Sequence, residues 1–229
     1  MNIVLKLIIP CLFLAACSDP AQESHAPAKQ PEAVFILIEN GGTVPEEDQA
    51  HAMNTALHLL QQVSGLARHK ATRDAQVHLI LTATPNRLAW SGTPAQLLAQ
   101  ARTVKELITF QPSFSDLVMA FEQVETTIDL SGADKVRLYV IGPFIHVPFQ
   151  SSDAPIDIHL PQAVPPALAL PDILDHIHVL KFMNVHDDQD MALLTYLRSV
   201  GVTQRAQQGE LKFSLKGAAQ TKAALDDLL

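Results

Sequence analysis

The stretch "AVFILIENGGTVPEED" (residues 33–48) joins an unbroken apolar run to a short polar loop and then to an acidic segment. An apolar run with branched and aromatic side chains is typical of a strand buried on both faces of a parallel sheet. Beyond the loop, Met53, Leu57 and Leu60 recur at helical spacing, which predicts an amphipathic helix from Pro45 to Val63. A buried strand followed by a helix is the basic unit of an α/β fold.

The loop "ENGGT" (residues 39–43) allows two interpretations. Thr43 and Glu46 have the spacing of a capping box, with Pro45 in the first turn, so the loop can be a turn followed by a capped helix. Alternatively, Glu39 and the glycines could form an ion or phosphate site at the end of the strand. The acids at residues 46–48 oppose an anion, and no phosphate-binding motif is present, so we favour the turn and cap.

Similar segments alternate along the rest of the chain. Strands are predicted at residues 75–83, 87–91, 134–142, 176–185 and 210–215, and helices at residues 93–108, 114–121, 188–200 and 218–229. The 87–91 strand follows a Thr-Pro-Asn turn and is expected to pair antiparallel with the strand before it. Residues 142–171 contain seven prolines, which predicts irregular, surface-lying structure with a short helix near Ala167.

This alternation predicts a three-layer α/β fold: a mostly parallel sheet with one antiparallel edge hairpin and helices on both faces. In such sheets, ligands bind outside the carboxyl ends of the strands. Glu39 lies at such an end, so the loop after the first strand is the leading candidate site.

The first residues, "MNIVLKLIIPCLFLAAC", carry Lys6 before an apolar run that ends in Leu-Ala-Ala-Cys. This ending resembles the lipobox of bacterial lipoproteins, which implies a signal peptide at residues 1–16 and an acylated, palmitate-bearing Cys17. The run from residue 7 to residue 16 is shorter than the roughly 20 residues that span a bilayer. In that family Ser18 implies delivery to the outer membrane, so we expect a membrane anchor through the N-terminal lipid and a periplasmic domain.

Composition separates the remaining chain into two parts. Residues 17–32 are polar and rich in alanine and proline, as in a flexible tether, and residues 33–229 have the length of one domain. Cys11 leaves with the signal peptide, so the mature chain has no disulfide. With 24 acidic against 16 basic residues and no basic cluster, nucleic acid is not expected as a partner.

The order of elements resembles that of von Willebrand factor A domains. That family carries an Asp-x-Ser-x-Ser loop after the first strand, a later Thr and an Asp after the central strand, which together hold Mg²⁺. In this chain Glu39, Gly41 and Thr43 take the first three places and Ser115 falls near the fourth. After "VRLYVI" the family pattern fails, because Gly142 stands where an acid is expected. The resemblance therefore implies a degenerate site with Glu39, Thr43 and Ser115 as weak ligands and no tightly bound cofactor.

Other possible sites have simpler explanations. His176 and His178 share a strand face, but alternate strand residues are more often hydrogen-bonded than metal-bound. The acids of "HDDQD" (residues 186–190) are expected to cap the helix that follows. No G-x-S-x-G or HExxH motif is present, so nothing in the sequence indicates a nucleophile or a zinc protease.

Together these features predict a lipid-anchored, non-enzymatic module that binds another envelope protein, for example within a secretion or conjugation apparatus. Three loops are expected to form the recognition face: residues 39–43, 113–115 and 142–149. Two alternatives stay open: a metal-dependent α/β hydrolase and a periplasmic small-ligand-binding protein, both using the loop from Glu39 to Thr43.

Overall fold

A computed structural model describes residues 32–149 and 158–223. The predicted signal peptide, Cys17 and almost all of the predicted tether lie outside these ranges. Within them, no helix combines the length and the apolar character needed to cross a bilayer.

Six strands in the described part of the chain form one sheet. They are β1 (Ala33–Ile38), β2 (Gln76–Leu81), β3 (Leu88–Gly92), β4 (Val136–Ile141), β5 (Ile177–Val185) and β6 (Lys212–Gly217), in the spatial order β3-β2-β1-β4-β5-β6. Only the β2–β3 pair is antiparallel, which confirms the predicted mostly parallel sheet with one edge hairpin.

The helices follow the strands in the predicted alternation. They are α1 (Glu46–Gly65), α2 (Pro94–Ala99), α3 (Ala101–Leu107), α4 (Leu117–Ser131), α5 (Leu170–Ile173), α6 (Asp190–Ser199), α7 (Val202–Gln207) and α8 (Ala218–Ala223), with a 3₁₀ turn at Leu66–Arg68.

The core lies on both faces of the central strand β1. Alternate β1 residues face opposite layers: Phe35 and Leu37 pack with the α4–α7 side, and Ile36 and Ile38 pack with the α1–α3 side. Every β1 residue is at most 1% exposed. A strand buried on both faces needs the unbroken apolar run that the sequence shows.

Several local predictions are wrong. The α1 N-cap is Pro45, without a side-chain cap bond, so Thr43 and Glu46 form no capping box. The predicted 93–108 helix breaks at Gln100 into α2 and α3, although Thr93 does cap its start. The next helix begins at Leu117 with Asp116 as its cap, so Ser113 and Phe114 precede it.

The later part of the chain shows three further differences. Gln189 precedes α6 without a side-chain cap bond, so the acids of residues 186–190 do not cap it, and α7 was not predicted. The short helix expected near Ala167 is α5, a few residues later. Phe144 and Ile145, in the proline-rich segment, are 2% and 3% exposed, because they pack beneath the sheet edge instead of lying on the surface.

Candidate functional site

The candidate site lies at the carboxyl edge of β1 and β4. The structure brings together the five positions that the sequence singled out: Glu39, Gly41, Thr43, Ser115 and Gly142. Parallel pairing of β1 with β4 places Ile38 beside Ile141, so the loops that follow these two strands emerge side by side.

The Glu39 carboxylate points inward and is 0% exposed. Its Oε1 accepts a hydrogen bond from the Phe144 N–H (2.7 Å), and its Oε2 accepts one from the Ile145 N–H (3.2 Å). Burial raises the pKa of Glu39 to about 8, although these two N–H groups and the Thr43 hydroxyl act in the opposite direction. Glu39 therefore ties the loop after β1 to the loop after β4.

Two glycines make this arrangement sterically possible. Gly142 has φ +146°, and a Cβ there would overlap the Cβ of Glu39 and lie 2.8 Å from its carboxyl carbon. At Gly41, a Cβ would overlap the carbonyl group of Phe114. Only glycine leaves room for such close approach of one backbone to another chain segment.

The two hydroxyl side chains are buried in different settings. Ser115 Oγ lies 2.7 Å from Thr82 Oγ1, a residue that follows β2, and the two hydroxyls share one hydrogen bond. Thr43 Oγ1 is buried near the Glu39 carboxyl but has no hydrogen bond of acceptable geometry among the described residues. Thr43 is thus drawn into the buried loop, which is why it cannot cap α1.

The third loop is joined to the other two through its main chain. The Gly42 N–H donates to the Ser113 carbonyl oxygen (2.6 Å), and Ser115 and Val147 exchange both of their main-chain hydrogen bonds (3.0 and 2.9 Å). These bonds connect all three loops that the sequence analysis assigned to the recognition face.

Asp116 adds a side-chain link within the same edge. Its Oδ2 accepts from the Phe149 N–H (3.2 Å), while its Oδ1 caps α4 by accepting from Met119. The neighbouring His146 accepts from the Leu117 N–H at Nδ1 (3.2 Å). Burial lowers the pKa of His146, although Asp116 opposes this, which favours the neutral ring that such an acceptor requires.

These residues do not fit the Mg²⁺ ion that the resemblance implies. Both Glu39 oxygens already accept main-chain hydrogen bonds, and Gly41 and Gly142 offer no side-chain oxygen. Mg²⁺ requires near-octahedral oxygen ligands and gives up its water reluctantly. Across the described ranges, no three His, Cys, Asp or Glu side chains are placed to share a metal ion.

A cavity of about 200 Å³ opens beside this edge, between α1, the loop after β4, the end of β5 and the start of α8. Its polar lining includes Asp48, His51, Asn184 and Asp187. The sequence patterns place Asp48 and His51 on the first helix, Asn184 in the 176–185 strand, and Asp187 in the acidic run before the helix that follows. The acidic runs at residues 46–48 and 186–190 are the only sequence signal for this cavity. The sequence does not show that the two runs lie close together, because their proximity depends on the tertiary fold.

No protein-family model and no curated protein sequence matches this chain. Solved structures do match. A mutant of the PilB minor pilin from Streptococcus sanguinis superposes with a TM-score of 0.53 at 11% identity, covering 92% of this chain and 61% of the other. A von Willebrand factor type A protein from Catenulispora acidiphila gives 0.53 at 10% identity, covering 86% and 42%. This chain thus spans less than two thirds of either matched chain.

The sheet order, the single antiparallel edge pair and these superpositions define the class of fold. The chain has a von Willebrand A-like, three-layer α/β fold. At 10–11% identity the likeness establishes the fold alone. Function must therefore be argued from the edge itself.

Proposed function

We propose that this chain is a protein-binding module without enzymatic activity, held at the periplasmic face of the outer membrane by a lipid on Cys17. Its partner is another envelope protein, for example in a secretion or conjugation apparatus. The docking face consists of the three loops at the carboxyl edge, residues 39–43, 113–115 and 142–149.

One observation carries this proposal: three loops from distant parts of the chain are hydrogen-bonded into a single edge. Glu39 joins the first loop to the third, Gly42 joins the first to the second, and Ser115 joins the second to the third. A surface that is already ordered loses little conformational entropy when a partner docks.

The same edge presents an exposed aromatic side chain. Phe149 is 61% exposed, and its ring packs edge-on against Phe114 with the ring centroids 4.9 Å apart. Aromatic residues are enriched at the centres of protein interfaces, because they bury a large apolar area with few rotatable bonds. Phe149 is therefore the expected anchor of the docking face.

The geometry does not favour the enzyme alternative. A general base must come within hydrogen-bond reach of the proton that it removes. Glu39 is fully buried and both of its oxygens are occupied by main-chain N–H groups, so no substrate proton can reach it in this arrangement.

The fold is compatible with a binding role. A minor pilin and a von Willebrand factor type A protein share the fold of this chain. Because their identity to this chain is so low, the proposal rests on the edge geometry and the lipobox rather than on their roles.

Site-specific photocrosslinking in intact membranes tests the docking face. A photoreactive residue in place of Phe149 or Glu46 should capture the same partner, because both positions lie at the carboxyl edge. The matched control is Leu130, which is 84% exposed near the end of α4, a helix that runs away from this edge. Equal capture of that partner from Leu130 would contradict the assignment of the docking face.

Fractionation tests the anchor. The Cys17→Ala protein cannot carry the lipid, so it should leave the membrane fraction and appear in the soluble fraction. A membrane-bound Cys17→Ala protein that resists salt washing would show that the lipid assignment is wrong.

A further inference from the structure

The cavity beside the docking face has a mixed lining. The apolar walls of the cavity come from three places in the fold. They are formed by Val44 and Pro45 just before α1, by Pro143 after β4 and by Val185 at the end of β5. Its volume of about 200 Å³ is below the roughly 300–1,000 Å³ of pockets that hold drug-sized ligands. This space suits one long side chain rather than a cofactor.

The polar part of the lining is acidic. Asp48 and Asp187 are exposed at the cavity, and the described lining residues include no Lys or Arg. Glu46 and Glu47 add negative charge on the same turn of α1. A carboxylate from a partner would be repelled here, whereas a cation would be attracted.

An unpartnered polar side chain lies in the same lining. Asn184 is 9% exposed and donates through Nδ2 to Thr55 Oγ1 (3.2 Å), but its Oδ1 has no hydrogen-bond partner among the described residues. Nε2 of His51, also in the lining, likewise has none. A buried acceptor without a donor is destabilising, so a ligand that brings N–H donors would relieve that cost.

We infer that this cavity binds the side chain of a lysine or arginine presented by the protein partner. The methylene stem packs against the apolar walls, and the charged head reaches Asp48 and Asp187. Asn184 Oδ1 is buried in this conformation. A small rotation of the side-chain amide turns this oxygen toward the cavity, where it accepts a hydrogen bond from the head group. The inference rests on the proposed function and adds the chemistry of the partner residue.

A titration followed by two-dimensional NMR of the ¹⁵N-labelled protein tests the cavity without the partner. The probes are N-acetyl-lysine methylamide, N-acetyl-arginine methylamide and the uncharged N-acetyl-norleucine methylamide. Either cationic probe should shift the backbone signals of Asp48 and Ala218 and the side-chain amide signal of Asn184. Equal shifts with the norleucine probe, or no localised shift with any probe, would overturn the inference.

Charge-removing variants provide the matched comparison. Asp48→Asn with Asp187→Asn should weaken binding of the cationic probe roughly three- to tenfold, as expected for the loss of two exposed charge contacts. Asp74→Asn, an exposed acid beyond the 3₁₀ turn, should leave the affinity unchanged. If Asp74→Asn weakened binding as much as the double variant, general surface charge would explain the binding and the cavity would not.

The two proposals fail in different ways. If the cationic probe binds but photocrosslinking from Phe149 captures nothing beyond what Leu130 captures, the docking face is wrong and the cavity assignment stands. If Phe149 captures a partner while the probe does not bind, the cavity assignment is wrong and the docking face stands.

Discussion

Two glutamates stand at opposite ends of β1 and illustrate two ways to bury a carboxylate. At the amino end, Glu32 accepts from Arg137 and from His178 Nε2 (3.0 Å), both of which can carry positive charge. At the carboxyl end, Glu39 accepts from the uncharged N–H groups of Phe144 and Ile145 and lies near the Thr43 hydroxyl. Glu39 is 0% exposed and has no cationic neighbour among these contacts, whereas the Glu32 side chain is 12% exposed and lies beside Arg137 and His178. Burial and neighbours together therefore decide which protonation state the fold prefers.

The pKa values move in opposite directions. Burial raises the pKa of Glu32, but the hydrogen bonds and charges of His178 and Arg137 outweigh it and bring the pKa down to about 2. Burial raises the pKa of Glu39 to about 8, and its main-chain partners do not reverse this. Glu32 should therefore stabilise the fold as an anion, and Glu39 as a neutral acid.

Gly142→Ala disrupts the surroundings of Glu39 most directly and should have the largest effect on the free energy of unfolding. The new Cβ would overlap Glu39 and would also sit at an unfavourable positive φ, so we expect a loss of about 3–5 kcal/mol in unfolding free energy. Chemical denaturation at neutral pH measures it.

Gly201→Ala is the control for backbone strain alone. Gly201 also has positive φ (+87°), but a Cβ there meets nothing within 4 Å. That variant should lose only about 1 kcal/mol. If the two variants lost equal stability, the contact between Gly142 and Glu39 would not matter.

Arg137→Met breaks the Glu32 end and should cost somewhat less. The pair is largely buried, with the side chains of Arg137 and Glu32 19% and 12% exposed, so removing the cation should cost about 2–3 kcal/mol at pH 7. Because the folded-state pKa of Glu32 is depressed, its contribution is present above pH 4.5 and is lost as the pH falls toward 2. The variant should therefore lose less additional stability than the wild type on acidification.

Arg102→Met is the matched control for that experiment. Arg102 pairs with Glu106 at the surface, where the two side chains are 93% and 64% exposed. Its loss should change stability by less than about 1 kcal/mol. If Arg102→Met were as destabilising as Arg137→Met, the loss of stability could not be attributed to burial of the Arg137–Glu32 pair.

The same two ends show what sequence patterns reveal and what they miss. The apolar run of β1 and the alternation of strands and helices predicted the sheet, because hydrophobic period is a local signal. Glu39 was correctly placed at the carboxyl edge, beside Gly142 and Ser115. Its inward orientation was not predictable, because its partners Phe144 and Ile145 lie about a hundred residues away and contribute only backbone groups, which carry no sequence signature.

Thr43 illustrates the same limit. Its spacing to Glu46 matched a capping box, but tertiary packing draws Thr43 under the edge, and Pro45 becomes the N-cap. The cavity was missed for a related reason: Asp48 and Asp187 meet only after α1 and β5 have been assembled on the sheet. Local rules identify elements reliably, whereas a site made by several loops depends on contacts that no single window contains.

Glu39→Gln sharpens the comparison through pH. Because the folded-state pKa of Glu39 is raised, its stabilising contribution is complete below pH 4.5 and is lost as the pH rises through about 8, at up to about 1.4 kcal/mol per pH unit. Glutamine stays neutral, but its amide group must face one of the two N–H donors, so the variant should be about 1–2 kcal/mol less stable at pH 5. Because the wild type loses stability along this slope and the glutamine variant does not, the deficit should shrink as the pH rises and change sign before pH 8, as measured by denaturation at each pH. Parallel wild-type and variant profiles would contradict the neutral-acid assignment.

The smallest expected effect is that of divalent cations, which should leave the melting temperature unchanged. An ion at this edge would need Glu39 as a ligand, and its carboxylate could turn outward only by abandoning the N–H groups of Phe144 and Ile145. Leaving two buried donors unpaired costs about 1–3 kcal/mol each, and Gly41 and Gly142 supply no oxygen in return. Thermal melts with millimolar Mg²⁺, Mn²⁺ or EDTA should therefore coincide. A metal-dependent rise in melting temperature that disappears in Glu39→Gln would contradict this prediction. It would show that the ion competes successfully with the main chain for the Glu39 carboxylate, because a ligand raises the melting temperature by binding to the folded state.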